Sequence, residues 1–90
     1  MYIISLVVEP GREAHIARHG VRLAEVDEVV FGSPFPTRTR EGRRRLIGQT
    51  QGGRYLTVIV VSLGYGVYAL IAARDADDAE RRRHLAWRRR

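Results

Sequence analysis

Apolar residues follow two rhythms along this chain. Some fall in unbroken β-branched runs, others recur every three to four positions. Tyr2 to Val8 is a run of the first kind and predicts a strand, which Pro10-Gly11 ends. From Arg12 to His19, Ile16 and Ala17, followed by Val21, take helical spacing, and Gly20 stands where a C-terminal cap belongs. Leu23, Val26, Val29 and Val30 predict a second helix, with Glu25, Asp27 and Glu28 toward solvent. Ser33-Pro34-Phe35-Pro36 suits neither a helix interior nor a central strand, so it reads as a loop or edge segment.

Strand signals dominate the second half of the chain. Arg43 to Gln49 can form a strand, Gly52-Gly53 marks a hairpin, and Arg54 to Leu63 is nearly continuous in apolar character, as a central strand would be. Gly64-Tyr65-Gly66 turns the chain into Val67 to Ala73, a further strand ending at Arg74. Asp77 lies three residues before Glu80, the spacing of a capping box, and opens a helix into the arginine-rich tail. The order β-α-α-β-β-β-α predicts one α+β domain over residues 1–90, with helices packed on one antiparallel sheet.

Charge changes this picture more than composition does. Through Thr37 there are three arginines and five acids, a net of 3 − 5 = −2, and from Arg38 onward thirteen against five, a net of 13 − 5 = +8. Clustered positive charge attracts phosphates and releases their counterions, so a polyanion partner is expected. All sixteen basic residues are arginine, suited to bidentate phosphate contacts. The chain also has no asparagine, so base composition is a competing account of the missing lysine. With no cysteine, neither disulfides nor cysteine-based zinc sites arise. Met1 to Val8 is too short for a secretory core, and Ser62, Gly64 and Gly66 interrupt the longest apolar stretch; the expected location is the cytoplasm, with no membrane.

Several fragments, in order, resemble the BrnT family of toxin ribonucleases. They are Ala14-His15-Ile16-Ala17-Arg18-His19-Gly20-Val21, the acidic second helix, Ile47-Gly48-Gln49-Thr50, Gly53-Arg54, Ala73-Arg74 and Glu80-Arg81-Arg82. The resemblance implies a RelE-like fold, ribonuclease toxicity and neutralisation by an antitoxin encoded alongside, of ribbon-helix-helix type. It allows a homodimer. This chain departs from the family pattern at Ala69 and Ala72, where a basic residue and a serine are common.

Metal-free RNA cleavage needs a base for the ribose 2′-hydroxyl, positive charge for the phosphorane and an acid for the leaving oxygen. No cofactor or metal is called for: His15 and His19 have zinc-pair spacing, but Ile16 stands where a zincin carries its glutamate. Histidine is the natural proton shuttle, and His19 belongs to the family-like His-Gly-Val motif; it could instead pack or cap the first helix. Arg74 and Arg81 are expected to hold the reacting phosphate. A salt bridge from Arg74 to Asp77 or Glu80 and a solvated face for Arg81 are the alternatives. Arg18, Arg43, Arg54 and Arg82 are candidate RNA contacts, and Tyr65, between two turn glycines, is a candidate stacking platform. Two functions therefore compete: a metal-independent endoribonuclease, and a non-catalytic module of the same fold that binds nucleic acid or an antitoxin.

Overall fold

A computed structural model describes residues 2–39 and 42–89; Arg40 and Glu41 of the arginine-rich segment and Arg90 of the tail lie outside the described residues. The elements are β1 (Ser5–Val7), α1 (Arg12–Ala17), α2 (Leu23–Val30), β2 (Phe35–Arg38), β3 (Arg43–Gln49), β4 (Tyr55–Gly64), β5 (Val67–Asp75) and α3 (Asp78–Arg88). The five strands form one sheet in the order β1-β5-β4-β3-β2.

The antiparallel succession β3-β4-β5 is as the hairpin signals predict. Two features refine the expected arrangement. Phe35–Arg38 pairs with β3 as a fifth strand, and it lies at the edge, where Pro36 costs no ladder hydrogen bond. β1 pairs parallel to β5, so the sheet is mixed rather than purely antiparallel. Helix α1 stops at Ala17, two residues before the expected end. Gly20, at φ +71°, lets the Val21 N–H donate to the Ile16 carbonyl at 3.2 Å and closes the helix end.

Side-chain alternation gives the sheet two unlike faces. Leu46, Leu56, Val58, Val60 and Leu70 point to one face and pack with Ile16, Val21, Val26 and Val29 of the α1–α2 layer into the buried core. A register shift pairs Ile59 with Ala72 but Val60 with Leu70, leaving Ile71 as an extra residue in β5. The Arg12 guanidinium donates to the Ile71 carbonyl at 3.1 Å and so ties α1 to this bulge. No helix among the described residues is long and apolar enough to cross a membrane.

Arg54 closes the same layer and corrects its expected role. Its Nε donates to Asp75 Oδ1 at 2.8 Å, and its Nη1 to the Gly20 carbonyl at 2.7 Å and to Glu25 Oε1 at 3.2 Å. Its Nη2 reaches the His19 carbonyl at 3.4 Å. The guanidinium thus joins the end of α1, the start of α2 and the end of β5, which leaves it committed within the chain rather than free for RNA. Replacing it leaves Asp75 and the Gly20 carbonyl without this donor and Glu25 with Arg22 alone. Arg54→Ala is expected to lower the unfolding free energy by about 1–3 kcal/mol, measured by urea denaturation. The exposed Arg82→Ala change should stay within about 0.5 kcal/mol, and equal stability of the two variants would remove Arg54 from this role.

Candidate functional site

The second face of the sheet carries Thr37 of β2, Arg43 and Arg45 of β3, Thr57 and Ile59 of β4, and Arg74 of β5. Helix α3 covers one end of it. The His84 ring meets Tyr55 edge-on at 5.5 Å, Trp87 stacks on Phe35 at 5.4 Å, and the Arg81 guanidinium lies 5.1 Å from the Tyr55 ring centre. The start of α3 is set by the expected capping box: Asp77 Oδ1 accepts from the Glu80 N–H at 2.8 Å, and Glu80 Oε1 accepts from the Asp77 N–H at 2.9 Å.

Glu80 is the pivot of this face. It is 3% exposed, and its two oxygens accept the Arg74 fork at 2.8 and 3.0 Å while Arg45 Nη1 donates at 3.4 Å. Burial pushes the Glu80 carboxyl up, but donation from Arg74 and from the Asp77 N–H outweighs it and holds the group at about 2. The carboxylate is therefore ionised at any physiological pH.

An open groove of about 860 Å³ runs over this pair, lined by Arg38, Thr39, Arg43, Arg45, Ile59, Arg74, Asp77 and Glu80. Four guanidiniums face two carboxylates there, a local surplus of 4 − 2 = +2. Arg74 Nη1 donates to Glu80 and to the Asp75 carbonyl, and Nη2 to Glu80, so Nε–H and one Nη2–H remain unused. Its side chain is 44% exposed and within reach of a ligand. Among the described residues, Arg38 and Arg43 have no ionic partner.

No family model matches the chain, and no curated protein matches it in sequence. Among solved structures it is similar to the Brucella abortus ribonuclease toxin BrnT, with a TM-score of 0.66 and 25% identity over 82% of this chain and 97% of that one. The fold is BrnT-like.

Within this BrnT-like frame the expected site residues disperse. Arg74 and Arg43 line the groove. His19 does not: it follows α1, on the other side of the sheet, with its ring 5.9 Å from that of His15. His19 is thus outside the groove that Arg74 lines, not in one shared site with it as expected from sequence. Arg18 lies at the same end of α1 beside Glu9 and His15. Arg81 is held over Tyr55, next to the groove but outside its lining, and Arg82 is exposed on α3. Tyr65 is 99% exposed at the β4–β5 turn, with φ +56°, roughly 25 Å from Arg74 at the usual rise along a strand.

The groove also brings in Arg38, Arg45 and Glu80, none of which the sequence singled out as ligands. Parity was the available signal for Arg45: two positions from Arg43 on one strand, it must share that residue's face. Ala72 and Ala69 pair with Ile59 and Val61, on the groove side, so the departures from the BrnT pattern fall on this face.

The Arg74 fork holds Glu80 well below the ordinary carboxylate range. Its folded value of about 2 lies below the ordinary 4.5, so the pair contributes stability above pH 4.5 that is lost as pH falls from there toward 2. Acid denaturation followed by circular dichroism should show wild type losing stability in that window. Glu80→Gln should be less stable at pH 7 and flatter with pH; parallel wild-type and variant curves would contradict the assignment.

Proposed function

We propose that this chain is a cytoplasmic ribonuclease toxin that binds single-stranded RNA across the Arg38–Arg43–Arg45–Arg74 groove and cleaves it without a metal. The observation that carries this reading is the groove itself. Four arginines converge on an open sheet face, and a buried carboxylate fixes the forks of two of them. The BrnT-like fold and the ribonuclease toxin that shares it support the same conclusion.

In this reading Arg74 and Arg45 hold the scissile phosphate and stabilise the charge that grows on its oxygens as the ribose 2′-oxygen attacks phosphorus. The bond to the 5′-oxygen breaks, leaving a 2′,3′-cyclic phosphate and a 5′-oxygen that takes its proton from water. Guanidiniums stay protonated and cannot take the 2′-hydroxyl proton. Among the described groove residues only Glu80 and Asp77 can accept it, and Glu80 is the one in contact with the arginines. When a phosphate takes the free Nε–H and Nη2–H of Arg74, it shares that cation with Glu80, so the hold on the carboxylate's pKa weakens while burial still pushes it up. Its basicity rises where the proton must leave. Arg43 and the exposed Arg81 and Arg82 extend the contact to flanking phosphates. The antitoxin, a ribbon-helix-helix protein in this reading, would lay an acidic segment over the same arginines.

One observation favours a second reading, a binding module without catalysis: Ala69 and Ala72 face the groove side, at the positions where the resemblance to BrnT leads one to expect a basic residue and a serine. Cleavage of a labelled single-stranded RNA in EDTA separates the two. The wild type is expected to cleave, with affinity falling steeply as salt rises because several phosphates are held. Arg74→Ala should lower the rate by a factor on the order of 10² to 10³, and Arg74→Lys should restore only part. A folded protein that binds RNA with a steep salt dependence but leaves it intact supports the module. One that does not bind RNA at low salt overturns the ribonuclease and the RNA-binding module alike and leaves only a module that binds an antitoxin.

A further inference from the structure

A second cleft opens at the other end of α3, where the loop after α2 and the end of β3 meet the last helical turns. Its volume is about 250 Å³, and Ser33, Pro34, Gln49, His84, Trp87 and Arg88 line it. One of these, Trp87, is a flat, largely apolar surface. Trp87 is pinned by stacking on Phe35 at 5.4 Å and by the His84 ring at 6.0 Å, so it forms a rigid wall with little rotamer entropy left to lose.

The polar groups are neutral where the cleft is deep. His84 is 3% exposed, and its Nδ1 is buried with no hydrogen-bond partner among the described residues. Burial, and then the charge of Arg88, lower its pKa and keep the imidazole neutral at physiological pH. Gln49 donates through Nε2 to the Gly53 carbonyl at 2.9 Å, which leaves its Oε1 without an in-chain partner among the described residues. Arg88 supplies the cation and is exposed. Nδ1 has no accessible surface, so a ligand in the cleft meets the His84 ring through its other nitrogen, Nε2, which no described residue occupies.

A flat wall, neutral hydrogen-bonding groups and a cation beside them match a nucleobase joined to a phosphate. A bare anion would leave the imidazole and the amide unused, and an aliphatic ligand would leave both unpaired. The cleft is also in line with the arginine groove. Glu80, His84 and Trp87 share one face of α3 at spacings of four and three residues, about 6 and 10 Å along the axis.

We propose that this cleft is a nucleobase subsite: a strand held by phosphate in the Arg74 groove places a neighbouring base against Trp87. His84 and Gln49 read its edge, and Arg88 holds the adjoining phosphate. This subsite rests on the RNA reading and gives it a base preference, because the four bases differ in the edge they present to His84 and Gln49.

Trp87 is the sole tryptophan, so its indole N–H is a single NMR resonance that reports on the cleft. Titrating the intact protein with each of AMP, GMP, CMP and UMP to millimolar concentration should shift that resonance saturably, with at least a severalfold spread in affinity among the four. Ribose 5-phosphate should leave it in place. His84→Phe keeps the ring and removes the nitrogens; it should weaken the preferred nucleotide about tenfold. Arg88→Glu, at an exposed position, should weaken all four nucleotides together.

Equal shifts from ribose 5-phosphate would reduce the cleft to a phosphate contact and overturn the base subsite. So would an unmoved indole with all four nucleotides, or unchanged affinity in a folded His84→Phe or Arg88→Glu protein. Cleavage of RNA by the wild type is scored separately. Cleavage with no nucleotide in the cleft defeats the subsite alone, and nucleotide binding without cleavage defeats the ribonuclease reading alone.

Discussion

The bidentate pair between Arg74 and Glu80 is the interaction on which the rest of this face depends. Arginines gathered over one sheet repel each other, and a guanidinium on a flexible stem has no fixed direction. A buried carboxylate solves both problems at once. Glu80 neutralises part of the charge, orients the Arg74 fork, draws in Arg45 and closes the first turn of α3 through the Asp77 N–H. Its own burial is tolerable because every oxygen has a charged or backbone donor; without Arg74 it would be an uncompensated buried charge.

Two arginines near the ends of paired strands show how strand parity divides structure from chemistry. Arg54 and Arg74 both meet carboxylates, and both come from motifs that resemble BrnT. Arg54 falls on the core side, beside the end of α1, where carbonyls and acids take four of its five donors. Arg74, on the other face, keeps N–H groups directed by Glu80 and free for a ligand. One residue of register would exchange their roles.

Much of this was legible in the sequence. The Asp77–Glu80 capping box, the hairpin signals and the helical spacing of Val26, Val29 and Val30 all depend on local chemistry, and all appear where expected. The link from Arg74 to Glu80 was visible as an alternative to phosphate binding; in the structure the ion pair is what aims the arginine. Relations set by long-range packing were not legible. β1 joins β5 from across the chain, Phe35–Arg38 becomes a strand only because β3 offers an edge, and His19 is carried away from Arg74 because α1 packs on the core face. No spacing along the chain distinguishes the two sides of a sheet until the partners of each helix are known.

The most direct test of this account is Glu80→Gln, assayed for RNA affinity and cleavage rate under conditions where the variant is folded. Removing a negative charge from a positive groove strengthens attraction for phosphate whatever the geometry. If Glu80 matters by aiming Arg74 and accepting the proton, affinity should hold or rise while the cleavage rate falls by a factor on the order of 10² or more. A variant that binds more tightly and cleaves as fast as the wild type would show that bulk positive charge suffices, and would contradict the central role of the pair.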